Sequence, residues 1–137
     1  FGVPCAHRRC SGAIPTIHLM GGTIMGTTRG LRDINENIKC YAVEPAEELH
    51  GIEGLKHMAS SILPSIYKEK ELDDKIPVPT EPSYELAERL AREEGLIVGH
   101  SSGAALWAAL KAAEGIKTGT IVTIFPDHGD RYFTILD

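Results

Sequence analysis

A chain of 137 residues, 42% apolar and 24% charged, has the composition of an ordinary globular protein and suits one domain that buries about two thirds of its unfolded surface. Its formal net charge of −5 argues against nucleic acid or an acidic membrane surface as the main partner, and no apolar run reaches the ~20 residues of a membrane span. Three cysteines (Cys5, Cys10 and Cys40) are too few for a disulfide framework and fit a reducing, cytoplasmic setting. No basic-then-apolar leader is expected before the domain. A start at Phe1 in place of Met is that of a fragment, a processed product or a truncated gene product.

Residues 1–20, with Pro4, Pro15 and the Arg8-Arg9 pair, carry no clean period and are expected to be irregular. Residues 21–137 are expected to form one α/β domain. From Thr23 to Asp33, the positions Ile24, Met25, Thr28 and Leu31 recur at helical spacing. Lys39–Val43 is a short apolar strand closed by Glu44-Pro45. Residues 46–74 are mixed, with Gly51, Gly54, Pro64 and a charged stretch at their end. They predict a mobile, cleft-side segment with one short helix over Leu55–Ser61.

Lys75–Thr80 predicts a second strand, and Thr80-Glu81-Pro82 starts a helix with proline in its first turn. That helix runs to Glu94, with Leu86, Leu90, Ala87 and Ala91 on one face and Glu85/Arg89 and Glu88/Arg92 pairs on its surface. Gly95 is its natural stop. Leu96–Val98 predicts a strand, followed by a helix from Ser102 to Glu114 with Leu106, Trp107 and Leu110 facing inward. Thr120–Phe125 is the last strand, closed by Pro126-Asp127. Strands alternating with helices predict a three-layer αβα fold, a parallel sheet with helices on both faces.

Three groups stand where such folds place chemistry, at turns from strand to helix. Gly21-Gly22-Thr23 brings backbone N–H groups, a helix start and a hydroxyl within reach of a phosphate, although the same tripeptide also makes plain turns. Ser101 follows Leu96-Ile97-Val98 and either caps the next helix or faces a cofactor. Asp127-His128-Gly129-Asp130-Arg131-Tyr132 follows the last strand and reads equally as a polar turn. Cys5, His7 and Cys10 lie close together, but no second pair at zinc spacing follows, so no metal site is expected. Ser101 also lacks the Gly-x-Ser-x-Gly elbow of a hydrolase, and His100 and His128 read as cleft-lining or exposed histidines.

Taken together, Gly21–Gly26, Ala42–Pro45, Gly51–Gly54, Glu93–Gly99, Ser101–Ala105 and Asp127–Tyr132 resemble, in order, pieces of the cysteine synthase (O-acetylserine sulfhydrylase) family, a fold type that includes cystathionine β-synthase. A weaker likeness covers Ala6–Gly12. The resemblance implies the C-terminal, cofactor-holding domain of a fold type II pyridoxal-phosphate enzyme. It implies that Gly21, Gly22 and Thr23 hold the phosphate of pyridoxal 5'-phosphate, that Ser101 meets the pyridine nitrogen, and that Gly51 and Gly54 face the substrate. The implied reaction is β-replacement, converting O-acetylserine and sulfide to cysteine and acetate. Cystathionine β-synthase and O-phosphoserine sulfhydrylase are alternatives of the same kind, and a non-catalytic anion-binding module is the alternative of another class.

Two departures matter. Leu19-Met20 stand where the family carries small residues before the phosphate turn, and the interval from Ile14 to Gly21 is shorter than the family's. No lysine of the chain lies in the family's Schiff-base context, so the resemblance implies no catalytic residue here and no activity for the chain alone. The full-length family is usually homodimeric. In that family the other domain covers the cofactor; without it, apolar surface around Ile52, Leu55 and Met58 is expected on the cleft side, and with it self-association or pairing with a missing N-terminal half.

Overall fold

The computed structural model describes residues 16–18, 21–58 and 60–130. Four strands form one parallel sheet: β1 (Thr16–His18), β2 (Cys40–Pro45), β3 (Asp74–Val78) and β4 (Val122–Thr123), in the order β3-β2-β1-β4. Thr16 pairs with Cys40 on one side and with Val122 on the other, and Val43 pairs with Ile76. Three α-helices complete the unit: α1 (Gly21–Ile34), α2 (Thr80–Arg89) and α3 (His100–Ala113).

Strand β2 shows why helices sit on both faces. Successive side chains of a strand point to opposite sides. Val43 joins Ile52, Leu55 and Val78 against Ala104 and Ala108 of α3, whereas its neighbour Ala42 joins Tyr67 against Ile24 and Met25 of α1. The three-layer αβα arrangement expected from the sequence is the one observed.

The α2–α3 contact is set by small residues. Gly103 lies so close to α2 that a Cβ there would overlap the Ser83 carbonyl oxygen, and Ala104, Ala105 and Ala108 are fully buried. Ser83 is equally buried, and its hydroxyl donates to the Pro79 carbonyl at 2.7 Å. Helix α2 loosens into a π-turn over Leu90–Glu94 and ends at Gly95, whose φ of 68° is the left-handed stop. On its surface Arg92 pairs with Glu88, but Arg89 turns forward to Glu93 and not back to Glu85.

Several expectations change. Thr16–His18 is a central strand and not irregular; three residues are too few for a visible period. Leu96–Val98 is no sheet strand, since only Val98 makes a bridge, antiparallel to His128. The last strand shrinks to Val122–Thr123. Leu110 faces solvent at 53% exposure, because the inner face of α3 is taken by glycine and alanines that let α2 come close. No helix forms among the described residues of 55–61, and the charged stretch carries a single 3-10 turn, Glu69–Glu71.

That charged stretch is tied to α1 and β2 by a set of ion pairs. Arg29 meets Glu71 at 2.8 Å, and Asp73 accepts from Arg32 at 2.6 Å, from Lys39 at 2.9 Å and from the Cys40 backbone N–H at 2.8 Å. Partial burial works against the charge on Asp73, yet the Cys40 N–H and the Lys39 ammonium outweigh it and hold its carboxyl below the usual range. The Arg29 guanidinium does the same for Glu71.

Candidate active site

Helices α1 and α3 both open at the carboxyl end of the sheet, where folds of this class place ligands. Helix α1 follows β1 closely, and α3 starts beside His128, beyond the end of β4. Neither helix has an acidic residue in its first turn, whereas α2 has Glu81 there. The positive end of α1 is therefore not offset within its own first turn, and its first N–H groups are suited to an anion, whereas the Asp127 carboxylate stands at the start of α3. In the first turn of α1, Gly22 and Thr23 are exposed, and no atom of the described residues stands within 4 Å of where a Gly22 Cβ would be. That turn is open for close approach. Leu19 and Met20, which stand where the family carries small residues, lie outside the described residues.

Ser101 sits one residue into α3 and is only 4% exposed. It is not the helix cap: Gly99 occupies that position, and no side chain caps the helix. The Ser101 hydroxyl instead donates to Asp127 Oδ1 at 3.0 Å. Gly99 makes this possible by close approach, since its N–H donates to the Asp127 carbonyl at 3.2 Å and a Cβ on it would stand 2.4 Å from Oδ1. Any side chain at position 99 would push the carboxylate away from Ser101. Asp127 is thus a partner for Ser101, where the sequence alone places it only in a polar turn. The signal for it is a glycine facing it on the preceding segment, invisible without knowing that the two segments cross.

The Gly51–Gly54 loop is anchored from below. Ile52 and Leu55, 1% and 6% exposed, sit in the α3-facing core, and Met58 is half-buried against the α1-facing one. The expected apolar surface around Ile52, Leu55 and Met58 is therefore absent; these side chains are core. The exposed apolar residues of this region are instead Leu49, Ile62, Leu63 and Ile66, with Ile62 97% exposed. The Gly51 carbonyl accepts from the Tyr84 hydroxyl of α2 at 2.5 Å.

His100 stacks on the Tyr84 ring, with centroids 4.0 Å apart, and the exposed His128 lies 3.2 Å from Asp130. Arg131, Tyr132 and the Cys5–His7–Cys10 cluster lie outside the described residues. Among the described residues no group of three metal-ligating side chains converges. Lys39, Lys75 and Lys111 are held in ion pairs with Asp73, with Glu44 and Glu69, and with Glu114. The site thus holds an open anion turn, a buried hydroxyl oriented by a carboxylate, and a glycine loop. These fit a phosphorylated heteroaromatic cofactor: backbone donors for its phosphate and one neutral hydroxyl for a ring nitrogen.

Comparison with known proteins gives the same picture. The chain is 51% identical over 118 residues to a cysteine synthase of Aquifex aeolicus, covering 83% of this chain and 36% of that protein. It is 39% identical over 120 residues to an O-acetylserine dependent cystathionine β-synthase of Bacillus subtilis, covering 83% and 39%. Among solved structures, O-acetyl serine sulfhydrylase isoform 3 of Entamoeba histolytica superposes with a TM-score of 0.79 at 32% identity, over 89% of this chain and 39% of that one. The chain spans well under half the length of these relatives. The arrangement of its sheet and helices is that of fold type II pyridoxal-phosphate enzymes. The family model for pyridoxal-phosphate dependent enzymes matches residues 19–127, and the chain belongs to that family.

Proposed function

We propose that this chain is the cofactor-holding part of a cytoplasmic cysteine synthase acting on O-acetylserine and sulfide. The observation that carries the proposal is the placing of the exposed first turn of α1, which holds no acidic residue, and of the buried Ser101 in the first turn of α3 at the same end of a parallel sheet. When bound, pyridoxal phosphate supplies the electron sink that lets a β-substituted amino acid exchange its leaving group for sulfide. In this reading the N–H groups of Gly21 and Gly22 and the Thr23 hydroxyl hold the phosphate. Ser101 would turn its single hydroxyl proton from Asp127 to the pyridine nitrogen when the cofactor binds, and Asp127 holds that hydroxyl in place until then. A hydroxyl leaves the ring nitrogen less firmly protonated than a carboxylate would, which favours elimination over transamination. Gly51 and Gly54 border the substrate, on a 46–74 segment that lines the cleft. The relatives from Bacillus subtilis and Helicobacter pylori, both O-acetylserine dependent cystathionine β-synthases, favour a second reading with the same leaving group and a larger thiol in place of sulfide. The buried, free Cys40 accords with a cytoplasmic setting.

Titration of the chain with pyridoxal phosphate tests the assignment. Weak binding is expected, competed by inorganic phosphate, with no cofactor fixed to a lysine by borohydride. Ser101→Ala should weaken binding about tenfold, the worth of one ordinary hydrogen bond. Affinity indifferent to both Ser101→Ala and phosphate would overturn it, and a borohydride-stable lysine adduct would overturn the absence of a catalytic lysine. The exposed Leu49, Ile62 and Leu63 support association with a second copy or a complementary N-terminal half. Light scattering across a concentration series checks this for the chain alone, and mixing with a separately made N-terminal half checks the other arm. A monomer mass in both would count against it.

A further inference from the structure

Tyr84 lies on α2, outside every element assigned to the cofactor, yet it touches both sides of the site. Its hydroxyl donates to the Gly51 carbonyl at the head of the Gly51–Gly54 loop, and its ring packs on His100, the residue immediately before Ser101. The two glycines of the loop have different physical reasons. Gly54 has a φ of 84°, a backbone conformation that side chains disfavour. Gly51 has no such conformation, but a Cβ on it would stand 2.3 Å from the Tyr84 hydroxyl oxygen and 3.4 Å from Thr80 Cγ2. Glycine at position 51 is thus explained by Tyr84, and the hydroxyl of Tyr84 finds its acceptor because position 51 is glycine.

We propose that Tyr84 is a positioning residue: it fixes the substrate-facing loop relative to the first turn of α3, so that the two halves of the site keep one register. This rests on reading Gly51–Gly54 as substrate-facing. The core below does not make the tie redundant, since Ile52 and Leu55 anchor the loop's apolar side while the Gly51 carbonyl lies on its exposed side. Tyr84→Phe removes the bond to Gly51 and keeps the ring on His100. Gly51→Ala removes the room for the hydroxyl.

The test is amide hydrogen exchange on the whole chain for wild type, Tyr84→Phe, Gly51→Ala and the double variant, read together with the ring-proton resonances of His100. Tyr84→Phe should speed exchange roughly three- to tenfold at 51–55, the effect of one lost hydrogen bond, and leave the core of α3 and the His100 resonances unmoved. Gly51→Ala should shift the His100 resonances as the Tyr84 ring is displaced, and that shift should shrink in the double variant, which lacks the crowded hydroxyl. Unchanged loop exchange in Tyr84→Phe overturns the proposal, as does an effect of Gly51→Ala that is identical in both backgrounds. If Gly51→Ala fails to fold, Tyr84→Phe alone decides. None of these readouts involves the cofactor, so loss of the cofactor assignment would show in the titration and leave the coupling between Tyr84 and Gly51 measurable.

Discussion

The two faces of the sheet are held by different physics. On the α2/α3 side, Val43, Ile52, Leu55 and Val78 pack on alanines, and Gly103 brings the two helices to backbone contact. On the α1 side, a smaller core of Ile24, Met25, Ala42 and Tyr67 is supplemented by Arg29, Arg32 and Lys39 closing on Glu71 and Asp73. Dispersion and burial do not titrate, whereas carboxylate pairs do. One face should therefore be indifferent to pH and salt, and the other should not.

The largest losses are expected on the packed side. Ile52→Ala should cost about 4 kcal/mol, because the site is enclosed and cannot collapse, and chemical denaturation should show that loss equally at pH 5 and pH 8. Gly103→Ala should cost about 3 kcal/mol through overlap with the Ser83 carbonyl; a loss below about 1 kcal/mol would mean the helices can part cheaply. Asp73→Asn should cost about 1 kcal/mol, modest because its partners are partly solvated, and the loss should shrink in high salt.

Acid separates the two faces further. Asp73 and Glu71 both have carboxyls held below their ordinary values in the folded chain. Their contribution is complete above the unfolded carboxylate range of about 4 and is lost as pH falls through the lower folded values. Thermal melts from pH 5 downward should therefore fall steeply in wild type and less steeply in Asp73→Asn combined with Glu71→Gln. The smallest effect is expected at Glu88→Ala, whose pair with Arg92 is exposed; a change above about 0.5 kcal/mol would be a surprise for such a pair.

How much of this is legible in the sequence depends on what each residue reports. Pro82 and Gly95 mark the ends of the α2 segment because their backbone constraints act locally. Leu96 and Ile97 suggest a strand because apolar character is all that periodicity can weigh, and both are more than two fifths exposed. The inner face of α3 misleads for the opposite reason. Trp107 does pack against the core, but Leu110 is exposed and Gly103 makes the close contact with α2, and closeness is a property of the pair of helices. At the site, Gly21–Thr23 and Ser101 are readable as motifs. The bond from Ser101 to Asp127 and the tie from Tyr84 to Gly51 are not, since each joins residues 26 or 33 positions apart.

The contact of Gly103 with Ser83 has a mechanical consequence. Rotation or sliding of α3 along α2 would drive the Gly103 backbone into the Ser83 carbonyl, so the pair transmits force as a single beam. Ser101 stands two residues from that contact, so its position is tied to α2 as well as to α3. Any displacement of α3 would therefore carry α2 and this hydroxyl with it, without sliding one helix past the other.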